Sequence, residues 1–179
     1  MWLGPADVPA GRIHRMTGEA DDLDLAAREY ADELTRVAGA PPRLDYVLLG
    51  VGPDGHVASL FPGHAALSQE HAVIAIEEAP KPPPLRITLS LPVLTGAARV
   101  AIVAFGAAKA AVMRDALEDP DSMLPVARVA REGGTARAAA LAGGLRDLRG
   151  IPVPFLWRLW RCGAAGAAPG SPTGARSQS

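Results

Sequence analysis

A single cysteine, Cys162, occurs in the 179 residues. A disulfide within the chain is therefore excluded, and so are zinc sites built on several thiolates. Such sparing use of cysteine fits a reducing, cytoplasmic setting. No apolar run approaches the ~18 residues that a membrane-spanning helix needs. The opening stretch "MWLGPADVPAGR" lacks the apolar core of a secretory signal, so no signal peptide is expected. An excess of one charge is missing too. The net charge is −1, which argues against nucleic acid or a charged membrane as the main partner. Lysine is nearly absent: only Lys81 and Lys109 break a basic set otherwise made of arginine. With the excess of alanine, that bias reads as a GC-rich coding sequence rather than a binding preference. No internal repeat is present.

What the chain does contain is a run of short apolar segments separated by helical ones. Residues 21–38 repeat Leu23, Ala26, Ala27, Tyr30, Leu34 and Val37 at three- and four-residue spacing, which predicts a helix. Asp21, Asp22 and Asp24 suit its positive end, and Gly39 with Pro41 and Pro42 stops it. "DYVLLGV" (45–51) reads as a strand buried on both faces. "AVIAI" (72–76), "RITLSL" (86–91) and "RVAIVAFG" (99–106) are further strands, and "APKPPP" (79–84) is a stiff extended connector. Ser90 is placed to cap a short helix over 92–97, and 107–119 forms another helix. This alternation predicts an α/β fold, a mainly parallel sheet flanked by helices in the Rossmann-like manner. Such sheets bind ligands at the carboxyl ends of their strands. Beyond about residue 128 the chain turns Ala/Gly/Arg-rich, and residues 130–179 read as a divergent, largely disordered tail. Within it, "IPVPFLWRLW" is a short apolar burst, read as tail rather than as a membrane or partner contact.

The chemistry concentrates in "LLGVGPDGHVASLFPGH" (48–64). Gly50, Gly52 and Gly55 let the backbone turn tightly and approach a ligand. His56 stands just past the strand end, where an imidazole can take a proton near neutral pH, and Asp54 is spaced to orient it. An ordinary loop with a solvent-facing histidine fits the same spacing. A second turn, "AFGAAKA", sets Lys109 in the first turn of a helix, a seat for phosphate or simply a solvated charge. Arg86 opens a strand and is either an anion contact or a strand-end charge. His14, His64 and His71 match no zinc spacing and read as surface or structural residues. Ser59 lies in no G-x-S-x-G elbow, and the glycine turn is not a dinucleotide fingerprint.

Three segments together resemble 6-phosphogluconolactonase: "LDYVLLGVGPDGHVASLFPGH", "PKPPPLRITLSLPVL" and "AFGAAKAAVMRDALED". The likeness runs in order from about residue 10 to about 129, giving residues 1–129 as a partial lactonase-like domain. It implies hydrolysis of 6-phospho-D-glucono-1,5-lactone to 6-phosphogluconate in the oxidative pentose phosphate pathway. It implies no metal and no redox cofactor. By the likeness His56 is the general base, with Gly52, Asp54, Gly55, Arg86 and Lys109 around the substrate and Lys109 and Arg86 toward its phosphate. The Gly-Gly-Ser loop with which the family begins and its later Asp-Glu-Arg triplet do not occur in this chain. A second reading therefore stands beside the first, a chain that keeps the fold and at most weak phosphosugar binding. An amino-sugar-phosphate isomerase or deaminase fits less well, because "SLFPG" follows the histidine motif.

Overall fold

The structure is a computed structural model, and it describes residues 8–133 and 135–141. Its first long element is α1 (Leu23–Ala38). The Asp22 carboxylate accepts the Leu25 N–H at 2.8 Å and so satisfies one of the donors left free at a helix start. The helix ends at Gly39, as its sequence predicts. Leu23, Ala26, Ala27 and Leu34 are buried, whereas Val37 faces solvent.

Three strands form a parallel sheet in the order β1 (Val47–Gly50), β4 (Arg99–Phe105), β5 (Thr135–Leu141). β2 (Val73–Ile76) and β3 (Arg86–Leu89) do not join it. They pair with each other, antiparallel, with Val73 opposite Leu89 and Ile76 opposite Arg86. The nine residues 77–85 that link them are too few for the crossover that parallel neighbours require. α1 packs on this pair through Ala27 and Leu34 against Val73, and Val93 from the helix that follows β3 completes the cluster.

The sheet is covered on one side by α2 (Leu91–Thr95), α3 (Ala110–Glu118) and α4 (Pro125–Glu132). Leu91, Leu94, Met113, Val126 and Val129 close on Val47, Leu49, Val100, Ile102 and Ala104. α2 starts at Leu91, so residue 91 belongs to the helix and residue 90 to its cap, and neither to the strand. Ser90 is the N-cap residue by backbone, but its hydroxyl makes no capping bond and is buried without a partner. No described helix is long and apolar enough to cross a membrane.

Two further expectations change. β1 alternates buried and exposed residues instead of burying both faces, and Leu48 is 64% exposed. Phe105, at the end of β4, is equally open at 64%. A parallel strand hides both sides only when something packs on both, and among the described residues this face carries no such cover at Leu48 or Phe105. The boundary expected at residue 129 falls inside α4, and the first part of the expected tail is β5, in register with β4 from Arg99–Thr135 to Phe105–Leu141. Strand pairing is made by backbone groups, so a run as plain as "TARAAAL" can join a sheet. The rest of the expected tail, 142–179, with Cys162 and "IPVPFLWRLW", lies outside the described residues.

Candidate active site

Parallel pairing sets Leu49 beside Ile102 and Gly50 beside Val103. The loops that follow β1 and β4 therefore leave neighbouring strands at the same, carboxyl edge of the sheet. The first of these loops closes on itself. Gly55 N–H donates to the Gly52 carbonyl at 3.0 Å, and Gly52 N–H donates to the His56 carbonyl at 2.9 Å. Gly55 has φ +81°, in the left-handed region, and a Cβ there would sit 3.2 Å from both Leu124 and Val112 side chains. Its carbonyl accepts the Val126 N–H at 3.0 Å, which ties the loop to the start of α4.

Gly52 is bare for a different reason. A Cβ on Gly52 would clash with His56 Nδ1 and Cε1 and would lie 2.5 Å from Asp54 Oδ1. The imidazole lies folded back over the glycine. Its Nδ1 is 2.6 Å from Asp54 Oδ1, and the second carboxylate oxygen, Oδ2, is 2.8 Å from Lys81 Nζ. Phe61, essentially buried, backs the ring at 4.5 Å between centroids with 37° between planes. The His56 side chain keeps 19% exposure, so one edge of the ring reaches solvent.

Partial burial works against ionisation of Asp54, but the Lys81 and His56 hydrogen bonds outweigh it and hold the carboxyl down at about 2. An ionised carboxylate only accepts hydrogen bonds. The shared hydrogen therefore belongs to His56 Nδ1, and the neutral ring presents an unprotonated Nε2. The depressed value also sets a pH dependence. A carboxyl lowered on folding from its ordinary 3.8 contributes stability above that value, and the contribution is lost as pH falls toward 2. We expect wild type to lose more unfolding free energy than Asp54→Asn between about pH 4 and 2 in denaturant titrations. Parallel curves for the two proteins would show that the cluster adds no net stability. The carboxylate and ammonium are 33% and 37% exposed, so salt should shrink the difference.

The other residues singled out in the sequence make contacts of their own. Arg86 does not reach out from the strand. Its Nε donates to the Pro83 carbonyl and its Nη2 to the Lys81 and Pro82 carbonyls, each at 2.9 Å. Its guanidinium carbon sits 5.4 Å from the centre of the Phe61 ring. Lys109 closes a 3-10 turn, Ala107–Lys109, and is the N-cap residue of α3 rather than part of its first turn. It lies one helical turn before Val112, the residue against Gly55. His14 pairs with Glu33 at 2.6 Å, and His64 Nδ1 accepts the Ala66 N–H at 3.1 Å. His71 lines a cavity of about 360 Å³ between α1 and β2, a cavity lined by none of the cluster residues. Ser59 is buried, with its N–H bonded to Thr88 Oγ1.

The model of the glucosamine-6-phosphate isomerase/6-phosphogluconolactonase family matches residues 1–138. The chain belongs to that family. Among its relatives, the 6-phosphogluconolactonase of Rattus norvegicus is 48% identical over 138 residues, covering 74% of this chain and 52% of the rat protein. The Homo sapiens 6-phosphogluconolactonase is 46% identical over 131 residues, covering 71% and 50%. The crystal structure of the Thermotoga maritima 6-phosphogluconolactonase superposes with a TM-score of 0.66 at 25% identity, covering 78% of this chain and 60% of that one. The chain thus spans about half the length of the relatives it matches.

Membership of the glucosamine-6-phosphate isomerase/6-phosphogluconolactonase family accords with the fold, a parallel sheet with helices and a glycine turn at its carboxyl edge. Two members of the cluster, Lys81 and Phe61, escape a reading of the sequence as local motifs. Phe61 sits inside the quoted motif but carries no chemistry of its own. Lys81 has one visible signal: it is one of two lysines in the chain and is held between prolines.

Proposed function

We propose that this chain hydrolyses 6-phospho-D-glucono-1,5-lactone to 6-phosphogluconate, with His56 as general base. The observation that carries this reading is the 2.6 Å contact between Asp54 and His56 Nδ1, which leaves Nε2 as the proton acceptor. Water approaching the lactone carbonyl gives its proton to Nε2 as its oxygen bonds to C1. The tetrahedral adduct then expels the ring oxygen, which takes the proton back from the imidazolium. Lys109 holds the phosphate and so fixes the carbonyl near His56, an orientation worth several kcal/mol. Arg86 offers the substrate only Nη1, the guanidinium nitrogen that its loop contacts leave over.

The Gly52 and Gly55 N–H groups are spent within the turn and Pro53 has none, which leaves the Asp54 and His56 N–H groups as the turn's backbone donors to the oxyanion. Gly52 and Gly55 serve the substrate by keeping the turn low beneath it. No metal or redox cofactor enters this hydrolysis, and the sparing use of cysteine is in keeping with a cytoplasmic setting.

A second reading, phosphosugar binding without turnover, draws support from the open sheet face at Leu48 and Phe105, next to the site-bearing edge. Freshly prepared lactone separates the two. Acceleration over spontaneous hydrolysis is the expected result, and a folded chain that gives none while binding 6-phosphogluconate in calorimetry would establish the second. Lys109→Ala should raise KM roughly 10–100-fold, the worth of one charge-assisted hydrogen bond, with kcat changed less than about twofold. An unchanged KM would make Lys109 a surface charge.

A further inference from the structure

We propose that Lys81 is a positioning residue for His56, acting through Asp54, and that the proline loop carrying it is built to hold it there. The inference rests on the reading of His56 as the base. Three observations support it. Lys81 Nζ binds Asp54 Oδ2 at 2.8 Å while Asp54 Oδ1 binds His56 Nδ1 at 2.6 Å, so one carboxylate bridges ammonium and imidazole. A carboxylate joined to the ring alone is free to rotate about its Cβ–Cγ bond; gripped at its second oxygen it keeps Oδ1 on Nδ1.

Second, the lysine arrives on a segment with little freedom. Pro80, Pro82, Pro83 and Pro84 fix four backbone φ angles around it. The Arg86 guanidinium then fastens the carbonyls of Lys81, Pro82 and Pro83, and the Ala79 N–H donates to the Pro84 carbonyl at 3.0 Å, closing the loop's base. Third, the same guanidinium lies near Phe61, the ring that backs His56. Arg86 thus joins two supports of the imidazole, the aromatic wall behind it and the loop that sends Lys81 to Asp54. The Lys81 charge reaches the site from a residue 27 positions away in sequence, across the gap between β1 and the β2–β3 pair.

A cation bound directly to the substrate would act differently, and the variants distinguish the two. Lys81→Met should lower kcat for the lactone about five- to tenfold with KM changed less than about twofold, and Lys81→Arg should restore at least half of the loss. Nitrogen-15 spectra of the imidazole, recorded above its titration, should show one tautomer, Nδ1–H, in wild type and Lys81→Arg, and a mixture of tautomers in Lys81→Met. A raised KM with unchanged kcat would overturn the proposal in favour of direct anion binding. An unaltered ring spectrum in Lys81→Met would overturn it in favour of a solvated surface pair. Should wild type fail to turn the lactone over, the proposed activity falls, and the ring spectra alone still decide whether Lys81 orients His56.

Discussion

Replacing His56 with alanine is expected to reduce lactone hydrolysis about 10²–10⁴-fold, to near the spontaneous rate. The expectation comes from position rather than residue type. His56 alone in the turn joins an oriented donor nitrogen, bonded to Asp54, with a second nitrogen free to accept. Folding should be nearly unaffected, since the ring is at the surface edge and its packing partner, Phe61, is held independently in the core cluster. Circular dichroism and a thermal melt would check the fold, and a pH-stat assay would check the rate. A His56→Ala protein that turns the lactone over as fast as wild type would remove the imidazole from the reaction.

Gly52→Ala should lose turnover to nearly the same extent although it removes no functional group. The added methyl claims the place of the imidazole, so the ring must swing away from Asp54. Swinging out is inexpensive, because the obstructing atoms belong to a side chain with room to rotate at a partly exposed edge. Stability should therefore fall by about 1 kcal/mol or less, of the order of an off-rotamer side chain. The double variant Gly52→Ala/His56→Ala should be no slower than His56→Ala alone, since both changes remove one interaction. Additive losses in that cycle would mean that Gly52 acts on the substrate directly and not through the ring.

Local chemistry was legible in the sequence wherever partners lie close along the chain. Asp22 and Gly39 mark the two ends of α1, and the glycine turn with Asp54 and His56 appears as a unit because its members are two residues apart. Features that depend on distant packing were not legible. The motif of β1 gives a strand, but whether Leu48 is covered depends on elements elsewhere. The apolar run 72–76 and the alternation in 86–91 mark strands without saying that they pair with each other and leave the parallel sheet. β5 carries little β-forming character beyond Thr135 and is held by its backbone bonds to β4. Arg86 was readable as a charge at a strand start, but its commitment to three carbonyls follows from how the proline loop curls back. Lys81 becomes visible only when β1 and the β2–β3 loop meet.

Among the described residues, Leu48 and Phe105 each leave about 1–2 kcal/mol of burial unrealised, and they do so on one sheet. Any surface that settles over them, another copy of the chain included, binds the native form and not the unfolded one, and so shifts the folding equilibrium by mass action. Wherever such a surface is present, the melting temperature depends on concentration and company as well as on the contacts inside a single molecule.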